Sequence, residues 1–289
     1  MINETDILQK LPALLPLNSR IAAGAGDDCA VINIAGGKQL LAAVDQLIEN
    51  VHFLAETDPE TAGKKLMNRN LSDIAAMGGT PLTALLTVAV NGKENAWVEA
   101  FIAGAAEAGK AFDVPVCGGD TAALPTPGAV ATLSILGEVP TGKAVMRSGA
   151  KAGEHLYVSG KIGNSFYSQH HLHFLPRLQE GVYLRDHATA MLDISDGLLL
   201  DAQRLAAASG VTLMLDLDVV PLREGAVFPE AFSDGEDYEL LFTSPELLDW
   251  LPNGTLITRI GQVLPAGEFK LVDRNNKKIT MDNIGYVHK

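Results

Sequence analysis

The sequence predicts an α+β protein made of two αβ domains. The chain has 289 residues, and a compact domain usually holds roughly 100 to 200 residues. Apolar segments of strand length alternate with segments whose apolar residues recur at helical spacing. Pro, Gly and Lys interrupt this alternation between Pro140 and Arg147. We therefore expect an N-terminal domain over residues 1–140 and a C-terminal domain over residues 141–289.

Three strands and two helices are predicted for the N-terminal domain. The strands are apolar runs, rich in Val, Leu and Thr, at residues 38–48, 80–90 and 129–139. The first helix covers residues 61–79, where Leu66, Leu71 and Ile74 recur at helical spacing before two glycines. The second helix covers residues 94–109 and follows the same pattern. Strands and helices thus alternate without a clean parallel βαβ series.

The C-terminal domain repeats this rhythm. Strand-length apolar segments lie at residues 154–160, 190–197, 211–217 and 238–244. A helix is expected over residues 198–210, because its apolar pattern stops at Gly210 and glycine commonly ends helices. We expect the run His170–His173 to be a loop, since no cysteine accompanies it to complete a metal site.

Composition excludes several classes of function. The chain has 22 Lys plus Arg and 35 Asp plus Glu, a net charge of −13, which argues against nucleic acid or an anionic membrane as partner. No segment reaches the roughly 18 apolar residues that a membrane span needs. The first ten residues lack the order of a secretion signal, and two distant cysteines make no disulfide framework. We therefore expect a cytoplasmic protein.

Aspartates stand beside apolar segments at five places in the chain. They lie in GDDCAVI (26–32), VDQLIE (44–49), NLSDIAAMG (70–78), CGGDT (117–121) and LDISDG (192–197). Any one of them could simply cap a helix or close a turn. Asp73 is harder to explain in this way, because it shares a helix with a buried apolar stripe. If such carboxylates converge, each pair at 4 Å repels by about 4 kcal/mol at an effective dielectric constant of 20. Divalent cations with a preference for oxygen, above all Mg²⁺, would relieve that repulsion.

The same segments carry features that favour phosphate. Asp193 and Asp196 flank Ser195 at a predicted strand-to-helix junction, where free N–H groups and the helix dipole attract an anion. Glycines adjoin the acids, as at Gly118 and Gly119, and let the backbone approach a polyphosphate closely. Neither a GxGxxG fingerprint nor a GxxxxGK[ST] sequence is present. The pattern indicates a metal-assisted phosphate site outside the Rossmann and P-loop classes.

These motifs, with MRSGAKAG between CGGDT and LDISDG and with GEDYELLFT after them, resemble in this order the thiamine-monophosphate kinase family over nearly the whole chain. The family shares a superfamily with aminoimidazole ribonucleotide synthetase, selenophosphate synthetase and a hydrogenase-maturation protein. The resemblance implies an N-terminal domain whose mixed sheet forms a barrel in a homodimer, and a C-terminal αβ domain. It also implies that ATP phosphorylates thiamine monophosphate to thiamine diphosphate, the last step of that cofactor's biosynthesis, with several Mg²⁺ ions.

The resemblance also assigns roles to residues of this chain. The implied Mg²⁺ ligands are Asp27, Asp28, Asp45, Asp73, Asp120, Asp193 and Asp196. The implied ATP contacts are Gly119, Asp120, Arg147 and Ser195, and the catalytic residues among these sets are Asp120, Arg147 and Asp196. The implied substrate contacts are His52, Glu236 and the position of Asn283. An acceptor phosphate has its second pKa near 6 and is largely a nucleophile at pH 7, so transfer needs no general base.

The chain departs from the family pattern near three of these positions. Ala43 and Val44 precede Asp45 where the family commonly has a hydroxyl residue, so ligation there would fall to backbone carbonyls. Asp234 adds a charge two residues before Glu236. Asn283 stands where the family has an aromatic residue, so stacking on thiamine is weaker or comes from another ring.

Two alternatives to the kinase remain at this stage. One is another ATP-dependent activity of the superfamily; the selenophosphate branch is disfavoured, because no cysteine precedes Cys29. The other is a protein that binds nucleotide and metal without catalysis, which the change at Asn283 would favour.

Overall fold

The computed structural model describes residues 7, 10, 11, 13–251, 253–273, 275 and 277–286. Within this part of the chain the strands form two separate sheets. The strands of the first are β1 (Ile21–Ala23), β2 (Ala30–Asn33), β3 (Lys38–Ile48), β4 (Thr80–Asn91), β5 (Val116–Ala123) and β6 (Gly128–Pro140). Their order across the sheet is β1-β2-β3-β6-β4-β5. The predicted strands at 38–48, 80–90 and 129–139 are confirmed as β3, β4 and β6.

Two long helices cover one face of this sheet, α1 (Pro59–Ala76) and α2 (Asn95–Ala111). Helix α1 begins where the Asp58 carboxylate accepts a hydrogen bond from the Thr61 N–H and Pro59 fills the first helical position. It ends before Gly78, whose φ of +67° suits a residue without a side chain. The apolar stripe of α1, including Leu66, Leu71 and Ile74, packs into the core on β3, β4 and β6. Both predicted helices are therefore confirmed.

The sequence did not predict β1, β2 or β5 of this sheet. Strand β5 forms one of its edges. It pairs in parallel with β4, and α2 connects the two strands, whereas the other neighbours in the sheet are antiparallel. Its residues are largely exposed at the edge of the sheet. The CGGDT segment thus lies in an edge strand.

The second sheet holds seven strands. They are β7 (His155–Ser159), β8 (Ala190–Asp193), β9 (Thr212–Asp216), β10 (Leu240–Ser244), β11 (Ile257–Leu264), β12 (Lys270–Val272) and β13 (Lys278–Ile279). Their order is β13-β12-β9-β11-β7-β10-β8. Three helices accompany them, α3 (His170–His173), α4 (Leu178–Leu184) and α5 (Leu198–Ser209). Helix α5 packs on one face and ends at Gly210 with φ +64°, as predicted.

Helix α1 lies between the two sheets and joins their cores. Ala76 at its end packs with residues of the second sheet, among them Met191 and Phe242. The Asn68 side chain donates a hydrogen bond to the Phe174 carbonyl at 2.9 Å. Residues of α1 therefore face both halves of the molecule, which is what a site built from both requires.

The histidine run and the absence of membrane-spanning segments were also predicted from the sequence. The His170–His173 run is a helical turn, so the predicted loop is wrong; the His170 and His171 rings bond the carbonyls of Asp237 and Ser165. Among the described residues, no helix is both long enough and apolar enough to cross a membrane.

Candidate active site

Three carboxylates from distant parts of the chain converge between the two sheets. Asp28 lies just before β2, Asp73 in the last turn of α1, and Asp193 at the end of β8. One ligand oxygen of each lies within 4.8 Å of the other two. Three of the seven predicted metal ligands thus form one cluster.

The electrostatics of this cluster fit a divalent cation. Burial, followed by repulsion from Asp45, Asp193 and Asp28, raises the pKa of Asp73 well above its ordinary value. Burial and Asp28 likewise raise the pKa of Asp193, although Ser72 Oγ donates a hydrogen bond to it at 2.5 Å. Carboxylate oxygens that are held close and oppose one another's charge are a donor set that suits Mg²⁺. The residues present therefore fit the ion that the sequence implies.

Arg147 closes one side of the cluster. Its Nη2 lies 2.6 Å from Asp28 Oδ1, and its backbone N–H donates to Asp27 Oδ1 at 2.6 Å. Burial raises the pKa of Asp27, while these contacts with Arg147 oppose the rise. The sequence therefore identified a pair of aspartates and an arginine that the fold brings together over more than 100 positions.

Asp45 lies beside the cluster and is paired with a cation that the sequence analysis did not identify. Arg69 on α1 donates from Nε to Asp45 Oδ2 at 3.1 Å and from Nη1 to the Gln46 carbonyl at 3.2 Å. The Asn70 side chain accepts the Asp45 N–H at 3.1 Å. Asp45 is thus fixed between β3 and α1 with its carboxylate toward Arg69.

The junction after β8 differs from the prediction in one respect. The N–H groups of Ser195 and Asp196 are not free, because Asp201 Oδ2 accepts both, at 3.1 and 3.0 Å. Arg204 bridges Asp196 and Asp201. Burial, and then the charge of Asp196, raise the pKa of Asp201 to about 7. The expectation of an open anion site at these backbone groups is therefore wrong, since a side chain of the same helix already occupies it.

Asp120 and Gly119 lie apart from the other predicted ligands. Asp45 pairs with Leu133, Leu133 with Leu86, and Leu86 with Gly119, so three strand spacings separate β3 from β5 in this row. At about 4.8 Å per spacing this is roughly 14 Å. The Asp120 carboxylate accepts the Thr121 N–H. Within this chain, neither residue joins the cluster, and their roles stay predictions.

A cavity of about 480 Å³ adjoins the cluster and lies between the two halves of the chain. Its lining combines charged groups with aromatic rings. The lining residues are Asp45, Val51, His52, Arg69, Phe166, Tyr167, Ser195, Asp196, Asp234, Gly235, Glu236, Tyr238 and Tyr286. Five predicted site residues therefore line the same cavity: Asp45, His52, Ser195, Asp196 and Glu236.

A buried lysine fixes Glu236 in this cavity. Lys65 of α1 is fully buried, and its Nζ donates to Glu236 Oε2 at 2.5 Å and to the His52 carbonyl at 2.6 Å. Burial lowers the pKa of Lys65 to about 8, and Glu236 opposes this change. The Glu236 N–H donates to the Ser195 carbonyl at 2.7 Å, and its φ is +57°. His52 Nδ1 accepts the Ile48 N–H at 3.0 Å, so this nitrogen carries no proton.

A tyrosine near the C-terminus lines the cavity, but not at position 283, where the aromatic contact is expected. Asn283 is not among the cavity-lining residues; its side chain bonds Ser233 Oγ and the Gly285 N–H. Tyr286, three residues later, lines the cavity instead. Phe166 and Tyr167 contribute two more rings, 49% and 85% exposed. The cavity therefore has aromatic rings although position 283 lacks one, and stacking of one of them on thiamine stays a prediction.

Sequence reasoning missed three residues of this site. Lys65 and Arg69 precede Asp73 by eight and four positions, so helical spacing placed them on the same face of α1 as that aspartate. Asp201 stands four residues after a glycine at a helix start, where acids satisfy free N–H groups. Each of these patterns is visible in the local sequence, but none shows which residue the side chain binds.

Comparison with protein families places this architecture among known relatives. The model of the AIR synthase related protein, N-terminal domain, matches residues 26–139. The model of the AIR synthase related protein, C-terminal domain, matches residues 138–274.

Individual proteins match over almost the full length. The thiamine-monophosphate kinase of Salmonella typhimurium is 35% identical over 93% of this chain and 92% of its own length. That of Caulobacter vibrioides is 31% identical over 99% of this chain and 90% of its own. A solved structure described as AaThiL complexed with AMPPCP and TMP superposes with a TM-score of 0.85, at 30% identity, over 99% of this chain and 97% of its own.

Proposed function

Because this chain belongs to the thiamine-monophosphate kinase family of AIR synthase related proteins, we propose that it transfers the γ-phosphoryl group of ATP to thiamine monophosphate. The products are thiamine diphosphate and ADP. The observation that carries the proposal is the placement of the three-aspartate cluster beside a cavity that holds both charged and aromatic walls. Likeness over the whole chain favours this reaction over the other activities of the superfamily and over binding without catalysis.

The cluster of Asp28, Asp73 and Asp193 would hold Mg²⁺, with Asp27 and Asp45 beside it. Mg²⁺ bound there would neutralise the negative charge of the phosphates and orient the two reacting phosphate groups toward each other. Asp120 and Asp196 are also proposed as ligands, and Asp196 would first have to exchange its bond with Arg204. This assignment rests on the donor chemistry of the carboxylates and on the convergence of Asp28, Asp73 and Asp193.

The chain itself supplies positioning and charge. Arg147 stays protonated at neutral pH and is held by Asp28, so its remaining N–H groups can stabilise charge on the transferring phosphoryl group. The acceptor phosphate needs no general base, because it is largely deprotonated at pH 7. Ser195, Gly119 and Asp120 are the further proposed ATP contacts. We expect direct transfer without a phosphorylated enzyme.

The far end of the cavity suits the thiamine moiety. The thiazolium ring is cationic, and the carboxylate of Glu236 lies on this wall with Asp234 two residues away. The His52 ring lies on the same wall, and its Nδ1 accepts the Ile48 N–H. Tyr286, Phe166 and Tyr167 provide apolar rings for the planar heterocycles. Asn283 stays a proposed contact of the same wall.

We also propose a homodimer, with the residues 1–140 as the domain that dimerises and residues 141–289 as the domain that completes the site. Helices cover one face of the first sheet, whereas on the other face Val44 is 62% and Leu85 47% exposed. Both pair with Ser134, so they lie in one row across three strands. A second copy would cover this face and close the barrel that the family resemblance implies. Both cysteines are free thiols, which suits the proposed cytoplasmic location.

The reaction is tested by incubating the purified protein with Mg²⁺, ATP and thiamine monophosphate, and by following both products chromatographically. We expect thiamine diphosphate and ADP in equal amounts, and no product from thiamine, which lacks the acceptor phosphate. Aminoimidazole ribonucleotide precursors and selenide serve as competing acceptors. Consumption of ATP with one of those acceptors and none with thiamine monophosphate would contradict the proposal.

A further inference from the structure

One face of helix α1 connects the two ends of the proposed site. Lys65, Arg69 and Asp73 follow at intervals of four residues, so they stand above one another with steps of about 6 Å along the axis. Lys65 bonds Glu236 at the thiamine end, and Asp73 belongs to the aspartate cluster. Arg69 is therefore halfway between the substrate's organic part and the proposed metal site.

The hydrogen bonds of Arg69 leave much of its guanidinium unused. An arginine has five N–H donors; Nε bonds Asp45 and one Nη1–H bonds Gln46, which leaves three. Within the described part of the chain, no acceptor is found for those three. The side chain is only 11% exposed, and it lines the cavity. Donors of a nearly buried cation need an acceptor, and a planar fork fits a phosphate in a bidentate manner.

The charges around the cavity also favour Arg69 as a phosphate-binding residue. A phosphate dianion bound between the thiamine wall and the aspartate cluster would meet several carboxylates there. The Lys65 ammonium is already bound to Glu236, and the Arg147 guanidinium to Asp28. Arg69 shares one contact with Asp45 and keeps a whole Nη2 group for another anion.

We propose that Arg69 binds the phosphate of thiamine monophosphate, the group that accepts the phosphoryl group. This inference rests on the proposed function and deepens it. Arg69 thereby distinguishes the phosphorylated substrate from unphosphorylated thiamine, and it places the acceptor oxygen beside the cluster.

The test compares the affinities of two ligands in the presence of Mg²⁺ and without ATP. Calorimetry gives the dissociation constants of thiamine monophosphate and thiamine for the unmodified protein, for Arg69→Met and for Arg69→Lys. We expect Arg69→Met to weaken binding of the monophosphate about 10- to 100-fold, as loss of charged hydrogen bonds does, and to change thiamine binding less than twofold. Arg69→Lys keeps the charge without the fork and should fall in between. Lys64→Met is the matched control on the same helix, since Lys64 pairs with Glu107 at the surface.

The outcomes separate this inference from the function itself. A purely structural role for Arg69 predicts equal losses for both ligands, and that result, or an unchanged monophosphate affinity, would overturn the inference while the unmodified enzyme stays active. Circular dichroism and thermal melting show whether each variant is folded. If Arg69→Met does not fold, the inference is tested with Arg69→Lys alone, from the ratio of its affinities for thiamine monophosphate and thiamine. An unmodified protein that does not phosphorylate thiamine monophosphate at all would overturn the proposed function, and this inference with it.

Discussion

Replacing Asp73 by asparagine should abolish catalysis and yet make the metal-free protein more stable. The substitution keeps the shape of the side chain and removes its charge from the cluster. Among the described residues, no hydrogen bond reaches the Asp73 carboxylate, so the amide breaks none. At 4.8 Å and an effective dielectric constant of 20, each carboxylate pair repels by about 3.5 kcal/mol.

Asp73 faces both Asp28 and Asp193, but a proton bound by the cluster relieves part of this repulsion at neutral pH, as the raised pKa values indicate. We therefore expect a net stabilisation of roughly 2 kcal/mol, or about 4 °C in the melting temperature of a chain this long. Added Mg²⁺ should stabilise the unmodified protein more than the variant, because a ligand stabilises the state that binds it. The rate of phosphorylation should fall about 100-fold or more.

The assay is thermal unfolding in a chelator and then in a Mg²⁺ series, alongside the kinase assay. Asp201→Asn is the control, because Asp201 is a buried aspartate whose carboxylate accepts hydrogen bonds from two backbone N–H groups and from Arg204. That variant should lose about 2 kcal/mol. A lower melting temperature for Asp73→Asn in chelator would refute the reasoning, since it would mean that Asp73 is paired rather than repelled.

Four further outcomes are expected. Lys65 has a pKa of about 8 in the folded protein and 10.5 in the unfolded chain, so the unfolded chain binds more protons between these pH values. The free energy of unfolding should therefore rise by about 3 kcal/mol from pH 8 to 10.5 relative to that of Lys65→Met. The same pH dependence of urea unfolding in both proteins would count against this expectation. Tyr286→Ala should raise KM for thiamine monophosphate about fivefold with Tyr286→Phe unchanged, and an effect on the KM for ATP instead would place this ring elsewhere. Val44→Glu should halve the mass measured by light scattering, whereas an unaltered mass would remove this face from the dimer. Arg147→Met should lower kcat about 100-fold, and a rate within twofold of the unmodified enzyme would end its assigned role.

Local patterns predicted most of the secondary structure because each element carries its own signal. Strand β3 follows the predicted segment 38–48 residue for residue, and α5 ends at the predicted glycine. Strand β5 escaped prediction because glycine and aspartate disfavour strands. Its pairing with β4, which a Cβ at Gly119 would obstruct at 1.7 Å from the Leu86 carbonyl oxygen, is a tertiary effect that no local pattern contains.

The site was predicted in its residue types and only partly in its arrangement. The aspartates were conspicuous because they interrupt apolar segments, yet whether Asp28, Asp73 and Asp193 meet depends on how α1 fits between two sheets. Asp120 has the same local appearance and lies about three strand spacings from Asp45. The cations that organise the site, Lys65 and Arg69, looked like ordinary helix residues, since their partners are up to 171 positions away.

Direct transfer between two phosphates held by this chain is tested most directly by the stereochemistry at phosphorus. ATP made chiral at its γ-phosphate with oxygen isotopes is turned over with thiamine monophosphate, and the configuration of the terminal phosphate of thiamine diphosphate is determined. A single in-line displacement inverts the configuration, and inversion is the result that we predict. Retention would require two displacements through a phosphorylated residue, and would contradict a site whose residues only position the phosphates and neutralise their charge.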